Sequence, residues 1–220
     1  MKKATKKNVE QDVLETGQYF STPVYYIKKE KFLNTLLPIF DEYIKAAEEF
    51  QPVNELYPSI MTGNMANDPR IREFGEYLVG TAWNILKGQG YAVDNKVAYF
   101  HSIWGQEYRK FGSMDEHVHA DGAQIVGFYF LECPENCPKM ILKDPRFGKN
   151  QISMSEADTT KVSDSTTSIV FGAQPGSLFF TNAWLPHSFS RNGSDKPFKF
   201  IHFNIAVKDV PVQVNTPIVV

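Results

Sequence analysis

The sequence predicts an α+β fold in which helices pack on one face of a β-sandwich or barrel. Three observations carry this reading. Two stretches in the first 90 residues repeat their apolar positions at helical spacing. From about residue 96 the chain turns into short β-branched or aromatic runs separated by turn residues. A length of 220 residues suits one domain with a helical layer added, large enough to bury a core without staples.

In order along the chain, residues 29–50 place Leu33, Leu36, Leu37, Phe40, Ile44 and Ala47 on one helical face, with Pro38 marking a kink or a helix start nearby. A second helix is better punctuated. Asp68 can cap it, Pro69 suits its first turn and Gly88 its stop, and Ile71, Phe74, Leu78, Ala82, Ile85 and Leu86 form its apolar side. Strands follow at "KVAYFHSIWGQEY", "AQIVGFYFL", "KMILK", "TSIVFGA", "GSLFFT" and "FKFIHFNIAV". A polar loop spans 147–165, long enough to serve as a lid. The domain is expected over 18–207, with a helical buttress at about 29–90 and strands at about 96–207; residues 1–17 and 208–220 read as an arm and a tail.

Composition excludes several classes. A net charge of −2 gives no bulk electrostatic case for nucleic acid or a membrane surface. No apolar run approaches the ~20 residues of a membrane span, and the basic, polar start lacks the apolar centre of a signal peptide. The chain therefore reads as soluble and cytoplasmic. Cys133 and Cys137 make neither a disulfide framework nor a complete zinc site, and read as a reduced pair in a proline-containing turn.

Chemistry concentrates in "DEHVHADG". Period-2 spacing on an extended chain lets His117, His119 and Asp121 face one cavity. His187, about 70 residues later in "WLPHSF", follows an apolar strand and a turn. Two ligands on one strand and one on a later strand make a three-ligand face with open positions, and imidazole and carboxylate suit Fe(II). A single histidine in a β protein is usually a core or surface residue, and His101 and His202, within apolar strands, are assigned to that class.

These residues resemble a known family. "YFSTPVYYI", "SIWGQEYRKFG" leading to "HVH", "GFYFLECPE", "ILKDPR", "PGSLFFTNAWLPHSFSRN" and "KFIHFNIAV" occur in the order seen in the Fe(II)- and 2-oxoglutarate-dependent oxygenases, and most closely in a branch with an H-x-H core. The likeness spans about 18–207. It implies a double-stranded β-helix, or jelly roll, with the N-terminal helices packed on one sheet. It implies an oxidoreductase, a dioxygenase that hydroxylates a small molecule or a peptide residue with Fe(II), O2 and 2-oxoglutarate.

In that superfamily the first two ligands are His-x-Asp, which leaves two registers open. One is His117, His119 and His187; the other is His119, Asp121 and His187. The spacing from Trp104 and the short run from Asp121 to the next strand favour the first. An all-histidine face carries one negative charge fewer, which weakens the hold on Fe(II). The far carboxylate of 2-oxoglutarate needs a cation, and Lys199 matches the position the superfamily uses, with Tyr108 or Tyr129 supplying a hydroxyl. The alternative for Lys199 is an edge-strand lysine in solvent. Phe128, Phe130, Phe179 and Phe180 read as core, Arg191 as loop or substrate-facing, and Arg146 either lines the mouth or pairs with Asp144. Two other functions fit the same residues: a three-histidine iron dioxygenase that does not use 2-oxoglutarate, and a non-catalytic jelly-roll binding protein.

Overall fold

A computed structural model describes residues 13–152 and 154–210. The first strand, β1 (Val24–Lys28), leads through a 3-10 turn at Glu30–Phe32 into α1 (Leu33–Glu48). After β2 (Ser59–Met61) and a second 3-10 turn at Pro69–Ile71 comes α2 (Arg72–Gly88). The remainder is β3 (Lys96–Tyr108), β4 (Met114–His117), β5 (Ala123–Glu132), β6 (Lys139–Lys143), the single helical turn α3 (Phe147–Asn150), β7 (Ser168–Gly172), β8 (Ser177–Asn182), β9 (His187–Phe189) and β10 (Phe198–Asp209). Every pairing is antiparallel. Six strands form one sheet in the order β1-β8-β5-β10-β3-β2, and four form a second in the order β4-β9-β6-β7.

The helices form for the reasons their sequences suggest. Asp68 accepts a hydrogen bond from the Arg70 N–H and so caps the turn that leads into α2, with Pro69 at its first position. Pro38 sits inside α1 rather than at its start. Its missing N–H would have paired with Asn34, and both residues lie on the exposed side, where solvent can take the freed carbonyl. The opposite side buries Leu36, Ile39, Phe40 and Ile44.

Period-2 alternation along the large sheet separates two cores. On one face Tyr129, Ile201, Phe203 and Ile205 pack with Phe40, Phe74 and Leu78 of the helices. On the other, Phe128, Phe130, Phe198 and Phe200 meet Met140, Leu142 and Phe189 of the small sheet. Close approach fixes two glycines. A Cβ at Gly127 would lie 2.2 Å from the Phe179 carbonyl oxygen and 2.2 Å from the Phe203 ring, and one at Gly105 would lie 2.6 Å from the Phe40 ring.

The expected strands recur closely. Four shorter ones, β1, β2, β4 and β9, complete the sheets. The expected 147–165 loop begins as α3, because the Asp144 carboxylate takes hydrogen bonds from the Arg146 backbone and side chain and from Lys149, while its carbonyl takes one from Asn150. The expected tail is shortened, since β10 runs to Asp209. Most of the expected N-terminal arm lies outside the described residues. Among the described residues no helix is long and apolar enough to cross a membrane.

Candidate metal centre

The small sheet carries the histidines. His117 ends β4 and stands directly opposite His187, the first residue of β9. His119 lies just past the strand, where its N–H donates to the Ala183 carbonyl at 2.9 Å and holds it against the β8–β9 turn. The ring centroids are 4.5 Å apart for His117 and His187, 5.0 Å for His117 and His119, and 5.2 Å for His119 and His187. One ring nitrogen from each lies within 4.8 Å of the others.

Backbone carbonyls orient two of the rings. His117 Nδ1 lies 2.8 Å from the Asp115 oxygen and His187 Nδ1 lies 3.0 Å from the Leu185 oxygen. A carbonyl only accepts, so each Nδ1 carries the proton and each Nε2 offers its lone pair, the arrangement metal-ligating histidines need. His187 is fully buried, and the Nε2 atoms of His119 and His187 have no hydrogen-bond partner. Burial, helped by the neighbouring His117, pushes His119 down to about 4. Burial does the same to His187, against the opposing effect of the hydrogen bond it donates to the Leu185 carbonyl, and leaves it at about 4. Both rings are thus neutral at neutral pH, as a ligand must be. The donor set fits a divalent metal, and imidazole without thiolate suits iron.

Asp121 is not brought to this group. It sits exposed at φ +55° in the turn before β5, which leaves His117, His119 and His187 as the register the geometry supports. Lys199 is a correction to the sequence reading. It lies on the helix-facing side of β10, where its Nζ reaches Asp41 of α1 and Glu132 of β5 at 2.9 Å each. Phe198, Phe200, His202 and Asn204 are the β10 side chains that face the small sheet. Tyr129 is a second correction. It also faces the helices, 5.0 Å from the Phe74 ring, and its hydroxyl donates to the Lys29 carbonyl. Tyr108 does face between the sheets, but among the rings of Phe189, Phe198 and Phe200, with its hydroxyl accepting from Gln106. Phe128 is both core and wall of the site, 5.3 Å from His187.

Sequence reasoning missed a second polar row. Trp104 and His202 stand opposite one another on β3 and β10, with ring centroids 4.3 Å apart, and His202 is 5.0 Å from His119. Trp104 Nε1, Gln106 Oε1, Thr181 Oγ1, Asn204 Oδ1 and both His202 nitrogens are buried without partners. The available signal was parity: His202 lies an even number of residues from Phe198 and Phe200, and so shares their face. Beside the histidine end, a cleft of about 160 Å³ is lined by Leu142, Leu185, Asp144, Arg146 and Lys149. Arg146 and Lys149 both bind the Asp144 carboxylate there, which realises the local pairing weighed for Arg146.

A family model described as "Putative 2OG-Fe(II) oxygenase" matches residues 102–204, from β3 to β10, and so contains all three histidines. The resemblance drawn from the sequence holds over this segment. No curated protein matches in sequence. Solved structures match in fold. A prolyl-4-hydroxylase of Pseudomonas putida superposes with a TM-score of 0.56 at 7% identity, covering 84% of this chain and 93% of that one. HygX of Streptomyces hygroscopicus, solved with nickel and 2-oxoglutarate bound, gives 0.57 at 10% identity, covering 84% and 83%. A viral collagen prolyl hydroxylase of Paramecium bursaria Chlorella virus-1, in a 2-oxoglutarate complex, gives 0.51 at 10% identity, covering 86% and 96%.

Proposed function

We propose that the protein is an Fe(II)-dependent oxygenase of the 2-oxoglutarate class, a hydroxylase built on a double-stranded β-helix. The observation that carries this reading is the convergence of His117, His119 and His187, with two buried Nε2 atoms lacking any partner. The family match over the same segment and the fold shared with 2-oxoglutarate-bound structures support it. When bound, iron with a 2-oxo acid and O2 supplies the oxidising power for hydroxylation, with 2-oxoglutarate leaving as succinate and CO2.

The chain's own residues position and shield that chemistry. The Asp115 and Leu185 carbonyls fix the ligand tautomers. Phe128 and Leu142 keep water from the buried side of His187. A metal held by the three neutral imidazoles of His117, His119 and His187 would keep its full charge to attract an anionic co-substrate.

One observation favours a second reading. Lys199 faces away from the histidines, and the inner rows of β3, β5 and β10 that flank them carry no lysine or arginine. A three-histidine iron dioxygenase that does not use 2-oxoglutarate would need none. The test is an anaerobic titration of apoprotein with Fe(II) and then 2-oxo acid, following the visible charge-transfer band that a chelating 2-oxo acid gives on such iron. A saturable band supports the first reading. Iron binding with no band from any 2-oxo acid replaces it with the second, and absence of iron binding ends both.

A further inference from the structure

The row between the three histidines and the aromatic end of the molecule has an unusual make-up for a dicarboxylate site. Three cationic candidates are engaged elsewhere: Lys199 across the sheet with Asp41 and Glu132, and Arg146 and Lys149 with Asp144. The inner faces of β3, β5 and β10 instead carry neutral groups. His202 stands beside His119 with Trp104 against it, and Asn204 and Thr181 lie further along the strands, on the side away from the aromatic end. On the other side of His202 the rings of Phe130, Phe198 and Phe200 pack against Phe189, with centroids 5.1 to 6.4 Å apart.

A carboxylate carried into such a place would give up its hydration with no cation in return, which is strongly unfavourable. The orphaned groups do not replace the cation. Gln106 and Asn204 each commit one amide N–H to Tyr108 and Ser102, and the atoms they leave with no partner among the described residues are carbonyl oxygens, which repel a carboxylate. Trp104 Nε1, Thr181 Oγ1 and the His202 ring offer neutral donors. Buried polar atoms without partners are uncommon, and among the described residues seven contribute eight of them, on the inner faces of the large sheet and on the facing His119 and His187. Their concentration there points to a ligand of matching polarity.

We infer that the inner chamber receives the tail of its 2-oxo acid with phenyl rings and neutral hydrogen-bonding groups, so that a 2-oxo acid with an uncharged tail binds at least as tightly as 2-oxoglutarate. This rests on the iron-oxygenase reading, and the two can fail separately. The probes are 2-oxoglutarate and 2-oxopentanoate, which share a five-carbon chain and differ in the far carboxylate. Each is titrated anaerobically into the Fe(II)-loaded protein by calorimetry and by quenching of tryptophan fluorescence. Fe(II) binding alone is measured first.

The expected result is a Kd for 2-oxopentanoate equal to or below that for 2-oxoglutarate, at both low and high salt. A tenfold or greater preference for 2-oxoglutarate overturns the inference and leaves the metal centre standing. Binding of neither acid to iron-loaded protein also overturns it, in favour of the three-histidine dioxygenase. A protein that takes up no Fe(II) overturns both readings at once. In folded Phe198→Arg protein, which sets a cation on the inner row, the preference should swing at least tenfold toward 2-oxoglutarate; an unchanged ratio there counts against the chamber as the tail's seat. The wild-type ratio decides the matter without that variant.

Discussion

Lys199→Met separates a structural lysine from a co-substrate ligand. The Lys199 side chain is only 13% exposed, while Asp41 and Glu132, each 2.9 Å away, are 51% and 42% exposed. Burial pulls its pKa down, but the hydrogen bonds it donates to Asp41 and Glu132 outweigh this and raise it overall. Fully exposed ion pairs contribute about 0.2–1 kcal/mol and hydrogen bonds to buried charges about 1.5–3. Two pairs with one buried and one half-exposed member fall between, and solvent around the carboxylates argues for the lower part of that range. Methionine keeps most of the apolar stem, so the expected loss is about 1–2 kcal/mol in total. With a urea m-value of about 2 kcal/mol per molar, the unfolding midpoint should drop by roughly 0.5–1 M. The Kd of the iron-loaded protein for 2-oxoglutarate should not move. A double-mutant cycle with Asp41→Asn should recover a coupling of several tenths of a kcal/mol or more. An unmoved midpoint together with a tenfold loss of 2-oxoglutarate affinity would place Lys199 in the site and refute the assignment of faces.

Other outcomes follow from the same geometry. Fe(II) at a hundredfold excess over its Kd should stabilise the protein by about 2.7 kcal/mol, a gain that His187→Ala abolishes and Asp121→Ala leaves intact; loss of iron in Asp121→Ala alone would reverse the ligand register. In chelator-treated protein, stability should fall as the pH drops from 6.5 toward 4, because His119 and His187 are held near 4 while the unfolded chain takes up protons from about 6.5. The depressed folded values mean that stability is complete above 6.5 and lost on acidification. His187, fully buried, accounts for about 2 kcal/mol of the fall between pH 7 and pH 5, and a flat urea midpoint across that range would sink the burial argument. Gly127→Ala forces a Cβ to 2.2 Å from the Phe179 carbonyl oxygen and should cost about 3 kcal/mol or more, read as a collapsed melting temperature or insoluble protein.

Much of this was legible from periodicity. The six strand runs announced by β-branched and aromatic residues became β3, β5, β6, β7, β8 and β10, since a run bounded by turn residues can satisfy its backbone only by pairing. The strands that escaped notice are short: β2 and β9 have three residues each, and their pairing is set by partners far along the chain. His117, His119 and His187 were legible because H-x-H at a strand end and a later P-H are local signals. His202 was not. It sits in "KFIHFN" with apolar neighbours on both sides, and only the structure shows that its row is the one facing the metal ligands.

Lys199 was set on the wrong face for a physical reason. On a strand, side chains alternate between faces, so a position-based match that is off by one residue lands on the wrong side of the sheet. The cation sits at 199, while the inner row of β10 is 198, 200, 202 and 204. Parity could have been read from the sequence alone. Phe198 and Phe200 are the pair that bury against the small sheet, and Ile201, Phe203 and Ile205 are the set that bury against the helices, but both sets are apolar. A sheet covered on both faces erases the polar-out signal that normally tells inside from outside. What breaks the tie is the one charged and the one imidazole side chain in the run. Lys199 can end at Asp41 only if it points to the helices, and that choice commits His202 to the metal side. The residue that looked like the co-substrate anchor thus sets its cation on the helix side of β10, away from the three histidines.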